Sequence, residues 1–190
     1  MFTVKSSDNL DIEFINDILD IDASVYPKNL QGTFDEISDR FKANKDIFNL
    51  LYDDDKIIGY SCFFPIKEIL YEMIINENRV FDSDIPGIYL EQYAPFNTYK
   101  LYLISAVIRP EYQGQGLSKY LINGFYDFIK NKKRENILFS NALSTSVTLS
   151  GKKMLEKMGF HIKKSLSENY NLHELKINDE FYNLMEGVCK

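Results

Sequence analysis

The stretch that most limits what this chain can fold into runs from Val107 to Lys119: Val107-Ile108-Arg109-Pro110-Glu111-Tyr112-Gln113-Gly114-Gln115-Gly116-Leu117-Ser118-Lys119. The run before it, Leu101 to Ala106, is apolar and of strand character. After it, Leu117, Tyr120, Leu121, Gly124, Phe125, Phe128 and Ile129 fall on one face of a helix. The order is therefore strand, Pro/Gly turn, helix. Two glycines at the helix entry remove side chains, so backbone N–H groups can approach a ligand closely. The first N–H groups of a helix lack internal partners, and the helix dipole is positive there. Such a turn suits an anion, phosphate above all.

Spacing separates three kinds of glycine-rich turn. A P-loop needs Gly-x-x-x-x-Gly-Lys-Ser/Thr, but Gly116 is followed by Leu117. A dinucleotide fingerprint needs Gly-x-Gly-x-x-Gly/Ala and an acid ending the next strand. Here the third position is Lys119, and Glu135 precedes the next strand. The third pattern, Gln/Arg-x-x-Gly-x-Gly/Ala, is the pyrophosphate loop of the GCN5-related N-acetyltransferases. Gln113-Gly114-Gln115-Gly116-Leu117-Ser118 resembles it, with Ser118 at the last small position. The lead-in Val107, Pro110, Tyr112 and the downstream Leu155-Glu156-Lys157-Met158-Gly159-Phe160 are similar to that family's flanking motifs.

Composition narrows the alternatives. A chain of 190 residues with 45% hydrophobic content suits one domain with its own core. The net charge of −6 argues against nucleic acid as a partner. No apolar run is long enough to span a bilayer, and no secretory signal opens the chain. Cys62 and Cys189 make no metal or redox spacing, and His161 and His173 alone cannot build a metal site. A cytoplasmic protein without a metal is expected.

In chain order, Phe2 to Lys5 reads as a strand. Ser7 or Asp8 is a cap for a helix carrying Phe14, Ile15, Ile18 and Leu19. Thr33 and Glu36 make a capping box before Phe34, Ile37 and Phe41. Residues 47–52 and 56–64 form a hairpin turned at Asp53-Asp54-Asp55, with Pro65 ending its second strand. Ile69, Leu70, Met73 and Ile74 give a short helix, and 88–93 an extended run. The segment at about 65–98 is read as an insertion. Lys100 to Ile108 is the central strand and 137–143 the next. Thr148 or Ser146 starts a helix capped by Gly159, a hairpin over 160–177 follows, and a helix at about 178–188 ends the chain with Phe181, Leu184, Met185 and Val188 on one face. That last face suits a homodimer as readily as a core.

The resemblance implies a single acyl-CoA N-acyltransferase domain over 1–190. Its fold is α/β (α+β mixed): a mostly antiparallel sheet with helices on both faces, splayed at two central parallel strands. It implies acetyl-CoA as cosubstrate and direct transfer of the acetyl group to a primary amine of a small molecule or peptide. The backbone of Ser105, Ala106, Val107 and Ile108 would pair with the pantetheine arm. The amides of Gln113, Gly114, Gln115, Gly116, Leu117 and Ser118 would hold the diphosphate, and Val107 N–H the developing oxyanion. Arg109, Lys119, Lys152 and Lys153 are candidate phosphate cations. The family's tyrosine, the usual acid for the leaving thiolate, is here Leu155, and its helix asparagine is Thr148. Tyr93, Tyr89, Tyr102 and Ser150 are candidates for a substitute acid, which the sequence does not rank. Glu91 is the first candidate base, with Glu68 and Glu72 behind it. Tyr26, Tyr89 and Tyr93 would wall the amine, with Asp22 or Glu91 facing its charge. The missing tyrosine also motivates a second reading, an acyl-CoA-binding regulatory module with little or no catalysis.

Overall fold

The computed structural model describes residues 1–77, 81, 85–168 and 170–187. Its strands are β1 (Phe2–Ser6), β2 (Phe48–Asp53), β3 (Lys56–Ile66), β4 (Thr98–Ile108), β5 (Leu138–Ser146), β6 (His161–Ser165) and β7 (Asn171–Lys176). Its helices are α1 (Ile15–Val25), α2 (Phe34–Ala43), α3 (Glu68–Asn76), α4 (Ser118–Arg134), α5 (Leu149–Lys157) and α6 (Asp179–Gly187). The strands form one sheet in the order β1-β2-β3-β4-β5-β7-β6. β4 and β5 run parallel, and every other neighbouring pair is antiparallel.

Alternation along the strands divides the core between the two faces. Phe64 and Tyr102 point to the face covered by α1, α2 and α3, where Ile15, Ile18, Ile37, Phe41 and Leu70 are buried. Phe63, Leu101 and Leu103 point to the other face, against Phe125 of α4, Leu155 of α5 and Tyr182 of α6.

Local signals set several element ends. Thr33 and Glu36 close the expected capping box: Glu36 N–H donates to Thr33 Oγ1 at 3.3 Å and Thr33 N–H to Glu36 Oε2 at 2.8 Å. Thr148 accepts from Gly151 N–H at the start of α5, and Gly159 takes φ +82° just past its end. Asn178 caps α6 by accepting from Phe181 N–H.

Other expectations are corrected. Ser7 caps no helix: its hydroxyl donates to Lys45 carbonyl and accepts from Phe48 N–H, pinning β1 to the start of β2. Pro65 does not end β3, which runs on to Ile66. The stretch from Ile88 to Tyr93 is not a strand. Gly87–Tyr89 is a 3-10 turn, and Leu90 makes one isolated bridge to Ile66. Alternation therefore does not set which way Tyr89, Glu91 and Tyr93 point. The last helix lays Tyr182 and Met185 into its own core, and Tyr182 accepts from Phe139 N–H. Val188 and Cys189, and the side chain of Leu184, lie outside the described residues.

Candidate active site

The parallel pair does not stay zipped. Pairing of β4 with β5 runs from Thr98↔Leu138 to Leu103↔Ser144 and stops. β4 continues to Ile108 with β3 on one side only. The parting coincides with a bulge: Cys62 faces Ser105 and Phe63 faces Leu103, so Ile104 is an extra residue on β4. A bulge bends its strand and re-aims the residues beyond it.

The register decides which backbone groups look into the gap. Arg109 N–H donates to Ile58 carbonyl at 2.8 Å, so the two form a hydrogen-bonded pair. Bonded and non-bonded pairs alternate in an antiparallel ladder. Tyr60–Val107 is then also a bonded pair, while Ala106 and Ile108 turn their N–H and C=O away from β3. The oxyanion role expected of Val107 N–H is thereby corrected, because that amide belongs to the ladder with Tyr60. Of the four residues expected to pair through their backbone, Ala106 and Ile108 have the open groups.

Below the gap lies the glycine turn. Gly114 and Gly116 take φ +77° and +73°, and a Cβ added at either would meet nothing within 4 Å. The backbone is left-handed at both positions while the space in front of it is open. Gln113 N–H, expected among the diphosphate amides, is instead committed to Pro110 carbonyl at 3.1 Å; the next backbone amide bonds are Lys119 N–H to Gly116 carbonyl and Tyr120 N–H to Leu117 carbonyl. Among the described residues, the amides from Gly114 to Ser118 are thus left for an outside acceptor at the head of a 17-residue helix. This open, positively polarised cradle fits a diphosphate.

A single cavity of about 480 Å³ joins the cradle, the gap and the face under α1 and α2. Ser105, Ala106, Val107, Ile108, Gln113, Gly114, Gly116, Leu117 and Ser118 line it. Gln115 does not; its amide side chain donates to Glu111 carbonyl. Lys153 and Lys157 border the cavity, whereas Arg109 donates to Ile57 carbonyl beside it. Leu155, 5% exposed, occupies the wall where the family tyrosine would stand.

The expected catalytic side chains divide sharply. Tyr93 lies in the core between Tyr99, Phe128 and Phe139, and Lys132 covers its ring. Glu91 follows the bridge at Leu90, with its N–H on Pro65 carbonyl and its carbonyl on Asn44. Neither lines the cavity, nor does Tyr89. Glu68 is paired with Lys100. Tyr102 and Ser150 do line it, and Tyr102 donates to Phe81 carbonyl at 2.6 Å.

Sequence reasoning missed a hydrogen-bonded chain across three elements. Asp22 of α1, 5% exposed, accepts from Tyr60 of β3. Tyr60 Oη accepts from Ser105 Oγ of β4 at 3.2 Å, and Ser105 Oγ meets Tyr26 Oη at 3.1 Å. Burial pushes the Asp22 carboxyl up to about 6, against the pull of Tyr60, the Gly32 amide and Arg40. Burial also holds the Tyr60 hydroxyl well above its ordinary range. Asp22 and Tyr26 were expected near the amine and Ser105 at the cofactor, but Tyr60 carried no signal, and nothing local in the chain links the four. Cys62 shares the cavity, and burial pushes its thiol up to about 12. A thiol so firmly protonated is not a nucleophile.

A mostly antiparallel sheet, opened between two parallel strands above a glycine turn, defines an acyltransferase of the N-acetyltransferase fold. The chain belongs to the Acetyltransferase (GNAT) family, whose profile matches residues 15–160. No curated protein sequence matches it. Solved structures do. The loading GNATL domain of CurA from Lyngbya majuscula is 17% identical, with TM-score 0.64 over 93% of this chain and 98% of that one. Arabidopsis thaliana NAA60 in complex with acetyl-CoA is 12% identical, with TM-score 0.61 over 93% and 100%. Arabidopsis thaliana Naa50, in complex with the bisubstrate analogue CoA-Ac-MVNAL, is 12% identical, with TM-score 0.59 over 92% and 98%. At these identities the likeness speaks for the fold.

Proposed function

We propose that the protein transfers an acetyl group from acetyl-CoA to a primary amine by direct attack in a ternary complex. The observation that carries this reading is the continuous cavity. It begins at the glycine cradle, passes the unpaired edge of β4, and opens on the opposite face of the sheet beneath α1 and α2. The two neighbours solved with acetyl-CoA and with a CoA-peptide analogue support the choice of donor.

Each part of the chain then has a task. The amides from Gly114 to Ser118 hold the diphosphate. Ala106 and Ile108 present paired N–H and C=O groups to the extended arm, as an added strand would. Ala106 N–H, facing the gap next to the bulge, donates to the oxyanion that develops as the amine attacks; such donors are worth about 10²–10³ in rate. The protonated Cys62 leaves no acyl-enzyme route through a thiol, which favours direct transfer. A thiolate is a tolerable leaving group even without a dedicated acid, since a thiol is far more acidic than an alcohol (about 8.5 for a cysteine side chain), which accommodates Leu155 at the tyrosine position.

Two measurements test the reading. Acetyl-CoA at about 100 times its Kd should stabilise the protein by about 2.7 kcal/mol, a Tm rise of roughly 5–11 °C for a chain of this size. NAD and ATP should not match it. Thiol release with a panel of amines should exceed the background hydrolysis. A Tm rise with no turnover on any amine would favour the acyl-CoA-binding module, the reading that Leu155 motivates. No rise at all would remove both. Gly116→Val places a β-branched side chain at a left-handed position and into the cradle, at a backbone cost of about 1–2 kcal/mol. The folded variant should lose the acetyl-CoA-dependent Tm rise.

A further inference from the structure

The proposed reaction leaves one proton to be removed, and no carboxylate sits on β4 itself. We propose that Asp22 is the sink for that proton, reached from the acceptor amine through Tyr26, Ser105 and Tyr60, and that the acceptor is a primary amine on an apolar body. The inference rests on the acetyl-transfer reading and names the acceptor side of the same site.

The geometry has a direction. Ser105 donates to Tyr60, and Tyr60 donates to the Asp22 carboxylate. With its own proton so committed, Ser105 Oγ is the acceptor in its contact with Tyr26 Oη. Every donor therefore points inward, towards one buried carboxylate. The outer pair, Tyr26 and Ser105, is half-buried and lines the cavity beside the unpaired edge of β4. The inner pair, Tyr60 and Asp22, is 2% and 5% exposed.

The step balances through these atoms. The neutral amine nitrogen bonds to the thioester carbonyl carbon, and the carbon–sulfur bond breaks. The sulfur leaves as thiolate. The proton shed by the nitrogen goes to Tyr26 Oη, whose own proton moves to Ser105. Ser105 passes its proton to Tyr60, and Tyr60 passes its proton to Asp22. Each hydroxyl accepts as it donates, so no tyrosinate forms. That requirement matches the firmly held Tyr60 proton. Tyr26 is the catalytic residue of the chain. Ser105, Tyr60 and Asp22 act through it.

The charged and titratable groups around Asp22 come from every side of the site. Arg40 faces it from α2, Tyr60 and Cys62 from β3, and the Gly32 amide from the loop before α2. Burial outweighs the lowering contributions of Tyr60, Gly32 and Arg40, and lifts the group to about 6, closer to the working pH of a base than an ordinary carboxylate. The acceptor's body would lie against Val25, Leu30, Ile37 and Phe81, which border the same cavity. Those walls select an apolar carrier.

The test uses the full chain, acetyl-CoA, 2-phenylethylamine as the apolar amine, and a lysine-containing hydrophilic peptide as its competitor. Asp22→Asn keeps the size and the acceptor oxygen for Tyr60. It should keep the acetyl-CoA Tm rise and the KM for acetyl-CoA, while kcat falls on the order of 10²–10⁴-fold. The wild-type kcat should fall below about pH 6, and that acid limb should disappear in the variant. Tyr60→Phe breaks the chain without touching the carboxylate and should lose kcat in the same range. Wild-type kcat with an unchanged acid limb in both folded variants would overturn the relay. A peptide used better than 2-phenylethylamine would overturn the acceptor class. No acetyl-CoA Tm rise in the wild type would instead defeat the underlying acetyl-transfer reading, so the two failures are distinct.

Discussion

Asp22 keeps a carboxylate where water is scarce, and stability records it. Its folded-state pKa, about 6, lies above the ordinary value of 3.8. Between those two values the folded protein binds more protons than the unfolded chain, so stability falls as pH rises through that window and then levels off. A shift of this size is worth about 3 kcal/mol at neutral pH. Asp22→Asn should therefore raise Tm at pH 7, by roughly 6–12 °C, and the gain should fade below pH 4. Calorimetry at several pH values would show it; equal Tm values at pH 7 would mean the carboxylate is not buried as described. A substitution that gains stability while losing kcat is the expected trade at a site built for chemistry. Glu91 and Tyr93 illustrate the opposite error. Both looked suitable by residue type, but the 3-10 turn at Gly87–Tyr89 removes the alternation that would have aimed them.

Among the elements, β4 and α2 show how far local rules reach. The capping box of α2 is written in Thr33 and Glu36 and closes as it should. Thr33→Ala should cost about 1 kcal/mol, a Tm loss of about 2–4 °C, with the acetyl-CoA-dependent rise retained; a loss much larger than this would mean Thr33 holds more than the helix start. β4 was recognisable as a strand from its apolar run, yet its functional details were not. The extra residue at Ile104 exists only relative to Cys62 and Phe63 of β3. Likewise the orientation of Val107 N–H follows from its pairing with Tyr60, and a single-residue slip would exchange the open amides for the bonded ones.

Across the whole molecule, the open seam between β4 and β5 lets one cavity serve both faces of the sheet. The cradle at the head of α4 and the carboxylate of α1 line that one cavity, and in the proposed reaction donor and acceptor would approach from opposite sides. Within the segment from 65 to 98, α3 buries Leu70 and Ile74 in the core, and Phe81 borders the cavity. By itself the sequence determined the glycine turn, the strand-helix order, the hairpin at Asp53-Asp54-Asp55 and the caps at Thr33, Thr148 and Asn178. These depend on backbone conformation and periodicity within a few neighbouring residues. Only the tertiary structure decided that Leu103 and Ser144 end the parallel pairing, that Ala106 rather than Val107 faces the gap, and that Asp22, Tyr60, Ser105 and Tyr26 join. Those contacts link residues 38 and 45 positions apart or more. Nothing in the local chain encodes such distances; the packing of α1 against β3 and β4 creates them.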